Sequence, residues 1–368
     1  MLTIRDVARL ADVSVATVSA VINGKSGVSD KLVQRVRRAM DALDYHPNQV
    51  ARSLKVRQTN TIGMMIPDVT NPFFADVMHG VEGEARRNNY SVMFCNADED
   101  PELERSQLSM LFSRRVDGVL LAPTDSHAAQ DRLINRRFPM VFFDRIPADF
   151  CGTAVVTDNF EASREAARHL IGLGHRRIAI ITGRLNLSNG LQRLEGFRRG
   201  IQEANLPFPE AYLRCGEFQL ETAHKCGLDL MRLPEPPTAV FCCNNKMTLG
   251  LMRALGDLRI PCPERVSVLG FDDFDWAVNF SPRLTTVAQP SFHMGKRAVE
   301  LLLSKIRGDR KDADADQDTI ITLKSELRVR DSTAPPCPAA REKKSSRRLG
   351  STGKTGRMAE EQIRSSGC

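Results

Sequence analysis

The sequence predicts a small all-α head of three helices, followed by an α/β body of two doubly wound parallel-sheet lobes. The 368 residues exceed what one hydrophobic core usually organises. Apolar residues recur at helical spacing in residues 1–46. From residue 61 onward, short β-branched runs alternate with helical segments, and this series occurs twice. Such alternation is typical of parallel sheets built from βαβ units.

Composition excludes several classes of protein. Hydrophobic residues make up 42% and charged residues 26%, with no apolar stretch near the roughly 20 residues of a membrane span. Asp6 and Asp12 interrupt the segment where a secretory signal would have its apolar core. The nine cysteines contain no CxxC pair, so we expect reduced thiols, no metal site and no cofactor. These features predict a cytoplasmic protein without a membrane partner.

The net charge of +7 is unevenly distributed. Residues 1–60 carry ten basic and five acidic side chains, residues 61–332 carry 34 and 37, and residues 333–368 carry eight and three. A basic head on a mildly acidic body favours a polyanionic partner, although a solvated surface would show the same charge.

Three helix starts are visible in the head. Thr3 with Asp6 forms an N-cap pair for a helix that reaches about Leu10, Ser14 is a good N-cap for a second helix, and Ser29 for a third. We expect the inward faces to be Val18, Val21, Ile22, Leu32, Val33, Val36, Met40 and Leu43. This pattern alone fits either a generic bundle or a DNA-binding helix-turn-helix.

Two stretches make the second alternative more specific. TIRDVARLADVSVATVSAVING and YHPNQVARSLKVRQTNTIG resemble, residue by residue, the head and hinge of the lactose-repressor (LacI/GalR) family of transcription regulators, and the resemblance continues to about residue 332. It implies a helix-turn-helix domain over 1–46 whose second helix enters the major groove. Phosphate contacts would come from Ser14, Thr17, Ser19, Asn23 and Ser29, and base contacts from Val15, Ala16 and Ala20.

One base-reading position departs from the family. Ala20 stands where most members carry Arg, so the bidentate contact to guanine cannot form. Methyl contacts to thymine and heavier reliance on the hinge remain open.

The hinge, residues 47–60, is expected by resemblance to form a helix in the minor groove. Leu54 would wedge a base step open, and Asn48, Ala51 and Lys55 would line the groove. A plain interdomain linker with a basic bias is the alternative.

The body, residues 61–332, resembles sugar receptors of the periplasmic-binding-protein-like class. In that class the chain passes between lobes three times, which we place near Asp158, near Gln289 and near residues 318–322. Lobe 1 would then cover about 61–158 and 290–320, and lobe 2 about 159–288. An effector would bind between the lobes, because ligands collect at the carboxyl ends of parallel strands.

Polar and aromatic residues at those strand ends resemble the ligand residues of ribose receptors. Aromatic rings can cover the apolar faces of a sugar, while carboxylates, amides and guanidinium groups bind its hydroxyls. The candidate set is Asn71, Phe73, Phe74, Asp144, Arg145, Asp158, Arg193, Phe218, Asn244, Asn245, Asp272 and Gln289.

A ribose-like aldose is therefore the expected effector. Two positions depart from the pattern: Ala122 stands where the receptors have an amide, and Asn245 replaces a usual Asp. The purine repressors of the family need an Arg and a hydroxyl where this chain has Leu187 and Asn189, which disfavours a purine. A sugar phosphate or a purine remains the alternative effector.

The tail, residues 333–368, has a disorder composition rich in Pro, Ser, Gly and basic residues. It contains no leucine heptad of the kind that joins family dimers into tetramers, so we expect a homodimer on a pseudo-palindromic double-stranded DNA operator. A solute-binding receptor without DNA function is the main alternative. An enzyme is not expected, because no GxGxxG after a strand, HExxH or GxSxG motif is present.

Overall fold

The computed structural model describes residues 2–22, 27–45, 58–125, 138–147, 150–308 and 319–337. The chain divides into two compact units. The first unit comprises Met1–Asn159, Leu185–Gln192 and Gln289–Ser325, and the second comprises Phe160–Arg184, Arg193–Ala288 and Glu326–Cys368. The predicted hinge helix and most of the basic tail lie outside the described residues.

The three expected helices of the head are confirmed as α1 (Ile4–Leu10), α2 (Val15–Ile22) and α3 (Asp30–Ala42). At the start of α1, the Asp6 carboxylate accepts hydrogen bonds from the backbone N–H (2.9 Å) and the hydroxyl (2.7 Å) of Thr3. These bonds lower the pKa of Asp6.

One small core joins the head helices. Val7, Val18 and Val36 are fully buried in it, and Val21, Ile22, Met40 and Leu43 pack against them as expected. Leu32 and Val33 are only partly buried and lie outside this core.

The first α/β unit has a six-stranded parallel sheet in the order β11-β5-β4-β3-β1-β2. Its strands are β1 (Thr61–Ile66), β2 (Ser91–Asn96), β3 (Gly118–Leu121), β4 (Met140–Phe143), β5 (Thr153–Thr157) and β11 (Thr319–Leu323), and its helices are α4 (Pro72–Arg87), α5 (Pro101–Ser113) and α10 (Ser291–Arg307). The strands β1, β3, β4 and β5 are largely apolar and buried, as parallel strands covered by helices must be, whereas the edge strands β2 and β11 are partly exposed.

The second unit repeats this plan with the order β12-β10-β9-β8-β6-β7, in which only the β10–β12 pair is antiparallel. Its strands are β6 (Ile178–Thr182), β7 (Leu213–Cys215), β8 (Ala239–Cys242), β9 (Ser267–Phe271), β10 (Thr285–Ala288) and β12 (Glu326–Arg328). Its helices are α6 (Asn159–Gly172), α7 (Ser188–Glu203), α8 (Leu220–Met231) and α9 (Asn245–Asp257), with 3₁₀ turns at Glu210–Tyr212 and Asp275–Asn279. The first residues of α6 and α7, Asn159 and 188–192, belong to the first unit.

The third passage of the chain lies later than expected. Residues 318–322 were expected to form it, and 290–320 to close lobe 1, but Thr319–Leu323 pairs in parallel with Thr153–Thr157 as an edge strand of the first sheet. The chain leaves the first unit only after Ser325. The strand TIITL was not predicted, and the expected end of lobe 1 was therefore too early.

The tail also begins later than residue 333. The Ser332 hydroxyl accepts from the Thr285 backbone N–H (2.8 Å) and donates to the Val268 carbonyl (2.6 Å). Farther on, the Thr333 hydroxyl lies 3.0 Å from His169 Nε2, and the Ala334 N–H donates to the Ser267 hydroxyl at 3.0 Å. Residues 331–337 are therefore an integral part of the second unit, and the disorder expected for 338–368 concerns residues outside the described ranges.

Two helices of the first unit approach so closely that only glycine fits between them. A Cβ on Gly80 in α4 would lie 2.1 Å from the Phe292 carbonyl oxygen, and one on Gly295 in α10 would lie 2.0 Å from that of Val77. The backbones of α4 and α10 are therefore in direct contact.

We predict that Gly80→Ala lowers the free energy of unfolding by about 1–3 kcal/mol, because the helices must separate to admit the methyl group. Gly83→Ala in the same helix is the matched control, since a Cβ there meets nothing within 4 Å. It should be neutral or stabilise by up to about 1 kcal/mol. Thermal unfolding of both variants, followed by circular dichroism, checks this; equal melting temperatures would contradict it.

Candidate functional site

The second helix of the head presents small side chains to solvent. Val15 is 41% exposed, Ala16 is exposed, and Ala20 is partly exposed. These exposed positions are those expected of a recognition helix, and they carry methyl groups in place of a long side chain that could reach a base edge. The proposed base contacts themselves remain predictions.

The head also presents several hydroxyl groups to solvent, two of them at the start of this helix. Ser14 is exposed, and its Oγ accepts from the Thr17 N–H at 3.1 Å and lies 2.9 Å from the Thr17 hydroxyl. Thr17 and Ser19 are partly exposed, and Ser29 is exposed at the N-cap of α3 without a side-chain capping bond. Asn23 and the hinge residues Asn48, Ala51, Leu54 and Lys55 lie outside the described residues, so their roles stay predictions.

Asn71, Phe73 and Phe74 lie where the sequence placed them, at the start of α4 after β1. Asn71 is the N-cap, and its Oδ1 accepts from the Phe73 N–H at 3.0 Å. The two rings contact each other edge to face, with centroids 5.0 Å apart, and belong to the core of the first unit. Their packing is therefore largely structural.

Asp144 ends β4 in a left-handed backbone conformation (φ 63°), and both Asp144 and Arg145 are buried. Arg145 is 3% exposed and forms a forked ion pair with Glu99 at 3.0 and 3.1 Å. Burial disfavours its charge, but Glu99 and Asp144 outweigh that effect and raise the pKa of Arg145. Glu99 is a partner that the sequence analysis did not identify.

Asn189 contributes an amide to the same region. Its Nδ2 donates to Asp144 Oδ2 at 3.2 Å, and both side chains are buried. Leu187, at the other position that distinguishes purine repressors, is also buried. These two positions thus supply an amide in the first turn of α7 and an apolar side chain directly before that helix.

Asp158 and Gln289 hold connecting segments of the first unit. The Asp158 carboxylate accepts from the backbone N–H (2.9 Å) and hydroxyl (2.6 Å) of Ser325, and Gln289 Oε1 accepts from the Thr157 hydroxyl at 2.6 Å. Both expected effector residues therefore also hold the chain where it leaves or re-enters this unit.

Glu104 is a buried acid that the sequence analysis missed. It lies on α5 along the stripe of Leu108 and Leu111, and its Oε2 accepts from the Thr124 N–H at 2.6 Å. Burial raises the pKa of Glu104. An acid at helical spacing from two core leucines was the signal that could have revealed it.

In the second unit, Arg193 is the central cation. It is 2% exposed, donates from Nη1 to the Cys243 carbonyl at 2.6 Å, and lies with its guanidinium 3.7 Å from the centroid of the Phe271 ring. Stacking on the ring fixes the plane of the guanidinium group, which suits it to directional hydrogen bonding.

Phe218 and the two asparagines surround the next strand ends. The Phe218 ring covers the backbone of Gly183, where a Cβ would lie 2.0 Å from a ring atom. Asn244 caps α9 by accepting from the Met247 N–H at 2.8 Å, and its Nδ2 donates to the Phe218 carbonyl at 3.3 Å. Asn245 is buried beside it.

Asp272 follows β9 as Asp144 follows β4. It is buried, and its backbone is left-handed (φ 71°). Each unit thus places one buried aspartate, in a conformation that non-glycine residues rarely adopt, directly after a central strand.

The described ranges contain no group of three or more His, Cys, Asp or Glu side chains arranged to hold a metal ion. None of their helices has the length and apolar character that a membrane crossing requires. Burial raises the pKa of the Cys243 thiol to about 12, so this cysteine stays protonated at neutral pH.

Comparison with known proteins gives the same two parts. Residues 3–48 match the family model of bacterial regulatory proteins of the lacI family, and residues 167–333 match that of the periplasmic binding protein-like domain. The HTH-type transcriptional repressor PurR of Vibrio atlanticus is 39% identical over 309 residues, 83% of this chain and 92% of its own length.

Two solved structures are similar over their whole length. The lac repressor dimer bound to operator and the anti-inducer ONPF matches with TM-score 0.80 and 26% identity, over 90% of this chain and 99% of its own. A LacI family regulator from Enterococcus faecium with bound ribose matches with TM-score 0.66 and 31% identity, over 75% and 99%.

The chain belongs to the lacI family of bacterial regulatory proteins. It is a DNA-binding transcriptional repressor that joins a helix-turn-helix head to a periplasmic-binding-protein-like effector domain. The fold and family expected from the sequence are confirmed.

We predict that Ser14→Ala destabilises α2 by about 1 kcal/mol, because Ser14 supplies the capping acceptor. Hydrogen exchange of the α2 amides in the intact protein should accelerate about fivefold. Ser29→Ala is the matched control, since Ser29 makes no side-chain capping bond, and it should leave exchange in α3 unchanged. Equal acceleration in the two helices would contradict the assignment.

Proposed function

We propose that this repressor is controlled by a ribose-like aldose and that the buried polar groups at the strand ends bind it. The observation that supports this most directly is that each unit has its own buried polar groups at a strand end, Asp144 with Asn189 in the first and Asp272 and Arg193 in the second. Carboxylate, amide and guanidinium groups suit the hydroxyls of an uncharged sugar, because each hydroxyl both donates and accepts.

Aromatic side chains support the same ligand class. The Phe218 carbonyl accepts from Asn244 in the second unit, and in the first unit Phe73 and Phe74 follow Asn71 at the start of α4. Aromatic rings cover the apolar faces of a pyranose or furanose. A ribose-bound regulator among the similar structures agrees with this choice.

A purine is the second candidate effector. The curated relatives that are PurR repressors favour it. Against it stand Leu187, which is buried and apolar, and Asn189, whose amide donates to Asp144. These residues replace the arginine and hydroxyl that the sequence analysis associates with purine repressors.

On the DNA side, we propose a cytoplasmic homodimer on a pseudo-palindromic operator, because two-fold related heads read two-fold related half-sites. A coupling of about 1–3 kcal/mol between effector and operator would change operator affinity by about 5–150-fold. The protein acts by binding, without catalysis, as its repressor relatives do.

The experiment that tests the effector is a thermal-shift screen of the full chain against pentoses, hexoses, sugar phosphates and purines. A ligand that binds only the native state raises the melting temperature. We expect a shift with D-ribose and none with hypoxanthine. A shift with hypoxanthine alone would replace the aldose by a purine.

We predict that Arg193→Ala abolishes the ribose-induced shift and leaves operator affinity without effector unchanged, because the guanidinium belongs to the effector domain. Arg198→Ala in the same helix is the control, since Arg198 is solvent-exposed. Isothermal titration with ribose and a DNA-binding assay measure the two properties. Loss of operator binding in Arg193→Ala would show that its role is misassigned.

We predict that Ala20→Arg shifts operator preference toward guanine at one position of each half-site, by about 1–3 kcal/mol, because the side chain gains a bidentate contact. Selection from randomised double-stranded DNA with both proteins measures the preference. Identical consensus sequences would show that residue 20 does not face a base.

A further inference from the structure

We propose that Asp273 and Arg330 are positioning residues for effector recognition, and that their ion pair holds the backbone turn from which Asp272 reaches the effector. The proposal rests on the function assigned above, in which Asp272 contacts the effector. Neither Asp273 nor Arg330 was among the candidate effector residues of the sequence analysis.

The turn at Asp272 needs an external restraint. Its φ of 71° lies in the left-handed region, which costs conformational energy for any residue with a Cβ. Such conformations persist where the surroundings impose them. The next side chain along the backbone, Asp273, is the group best placed to do so.

Asp273 is held by four hydrogen bonds from three residues. Oδ1 accepts from the Thr286 hydroxyl (2.7 Å) and from Arg330 Nη1 (2.9 Å), and Oδ2 accepts from Arg330 Nη2 (2.8 Å) and Arg328 Nη1 (2.6 Å). The forked contact with Arg330 fixes the plane of the carboxylate as well as its position. Although burial disfavours its charge, these donors lower the pKa of Asp273, so it is ionised at neutral pH.

Arg330 is itself fixed on the second sheet. Its Nη1 also donates to the Leu284 carbonyl (2.6 Å) and the Thr286 hydroxyl (3.1 Å), and its backbone N–H donates to the Thr285 hydroxyl (2.9 Å). Asp273 is 10% and Arg330 is 14% exposed in the side chain, so solvent screens the pair weakly. A rigid cation therefore anchors the turn.

The first unit contains the same arrangement, except that the residue after the aspartate is basic and its partner is acidic. Asp144, also left-handed (φ 63°), is followed by Arg145, which is buried and pairs with Glu99. In both units an aspartate with a left-handed backbone conformation thus precedes a charged residue that forms a buried ion pair. The repetition supports a role of each ion pair in holding the aspartate that precedes it, because the residue after that aspartate is basic in one unit and acidic in the other and the two pairs have no residue in common.

The first of two measurements tests, without any ligand, whether the ion pair holds the turn. Hydrogen–deuterium exchange of the ligand-free full chain is compared for wild type, Asp273→Asn and Arg330→Lys in peptides that cover residues 270–275. We expect exchange there to accelerate at least fivefold in Asp273→Asn and less in Arg330→Lys, which keeps the charge but loses the fork. Peptides from α8 and α9 should not change.

Asp331→Asn is the matched control for this arm. Asp331 pairs with Arg283 at 2.6 Å in the same segment, but the two side chains are 47% and 58% exposed. Its loss should leave exchange at residues 270–275 as in wild type. Equal acceleration in Asp331→Asn and Asp273→Asn would overturn the positioning role.

The second arm is isothermal titration with D-ribose. Asp273→Asn should lower affinity at least tenfold in the wild-type background and less than twofold in an Asp272→Asn background, because it acts through Asp272. Additive losses in the double variant, or faster exchange without weaker ribose binding, would overturn the proposal. If wild type binds no D-ribose, the assigned effector is wrong, whereas the exchange arm still decides whether the ion pair holds the turn.

Discussion

Charged groups buried at the carboxyl ends of parallel strands are the constraint on which the rest of the effector domain depends. A strand end in this fold is enclosed by helices, so an ionised side chain there must be paired or hydrogen-bonded. Arg145 with Glu99, Asp144 with Asn189, and Arg193 with the Cys243 carbonyl all satisfy this requirement. The polar groups that could bind an effector are thus already fixed in direction, and little reorganisation is needed to bind one.

The sequence was sufficient for those parts of the fold that depend on local pattern. The helices of the head follow from Thr3, Ser14 and the apolar periodicity, and the central strands follow from their β-branched runs. Strand β11 escaped prediction because five residues at a sheet edge, half exposed, lack the continuous apolar character of the buried strands. Its place is set by pairing with β5, a contact that local sequence does not encode.

The sequence predicted which residues belong to the candidate site better than it predicted the contacts that these residues make. Asp144 and Asp272 directly follow strands β4 and β9 as expected, whereas Arg193 lies in the second turn of α7. Glu99 lies in the loop before α5 and Asn189 in the first turn of α7, and nothing in the sequence around either residue indicates its pairing with Arg145 or Asp144. The candidate residues came from the family resemblance. Only the tertiary structure shows that some of them also hold connecting segments, as Asp158 does by accepting a hydrogen bond from Ser325.

The late position of the last strands in the sequence affects the order in which the parts of the protein can fold during synthesis. Each sheet receives a strand from the end of the body, β11 for the first and β12 for the second, and residues 331–337 then add hydrogen bonds to the second. On the ribosome, neither α/β unit is complete until almost the whole body has emerged, whereas the head helices form from contiguous residues. The DNA-binding head is therefore the part of the polypeptide able to fold early, while both units of the effector domain mature together at the end of synthesis.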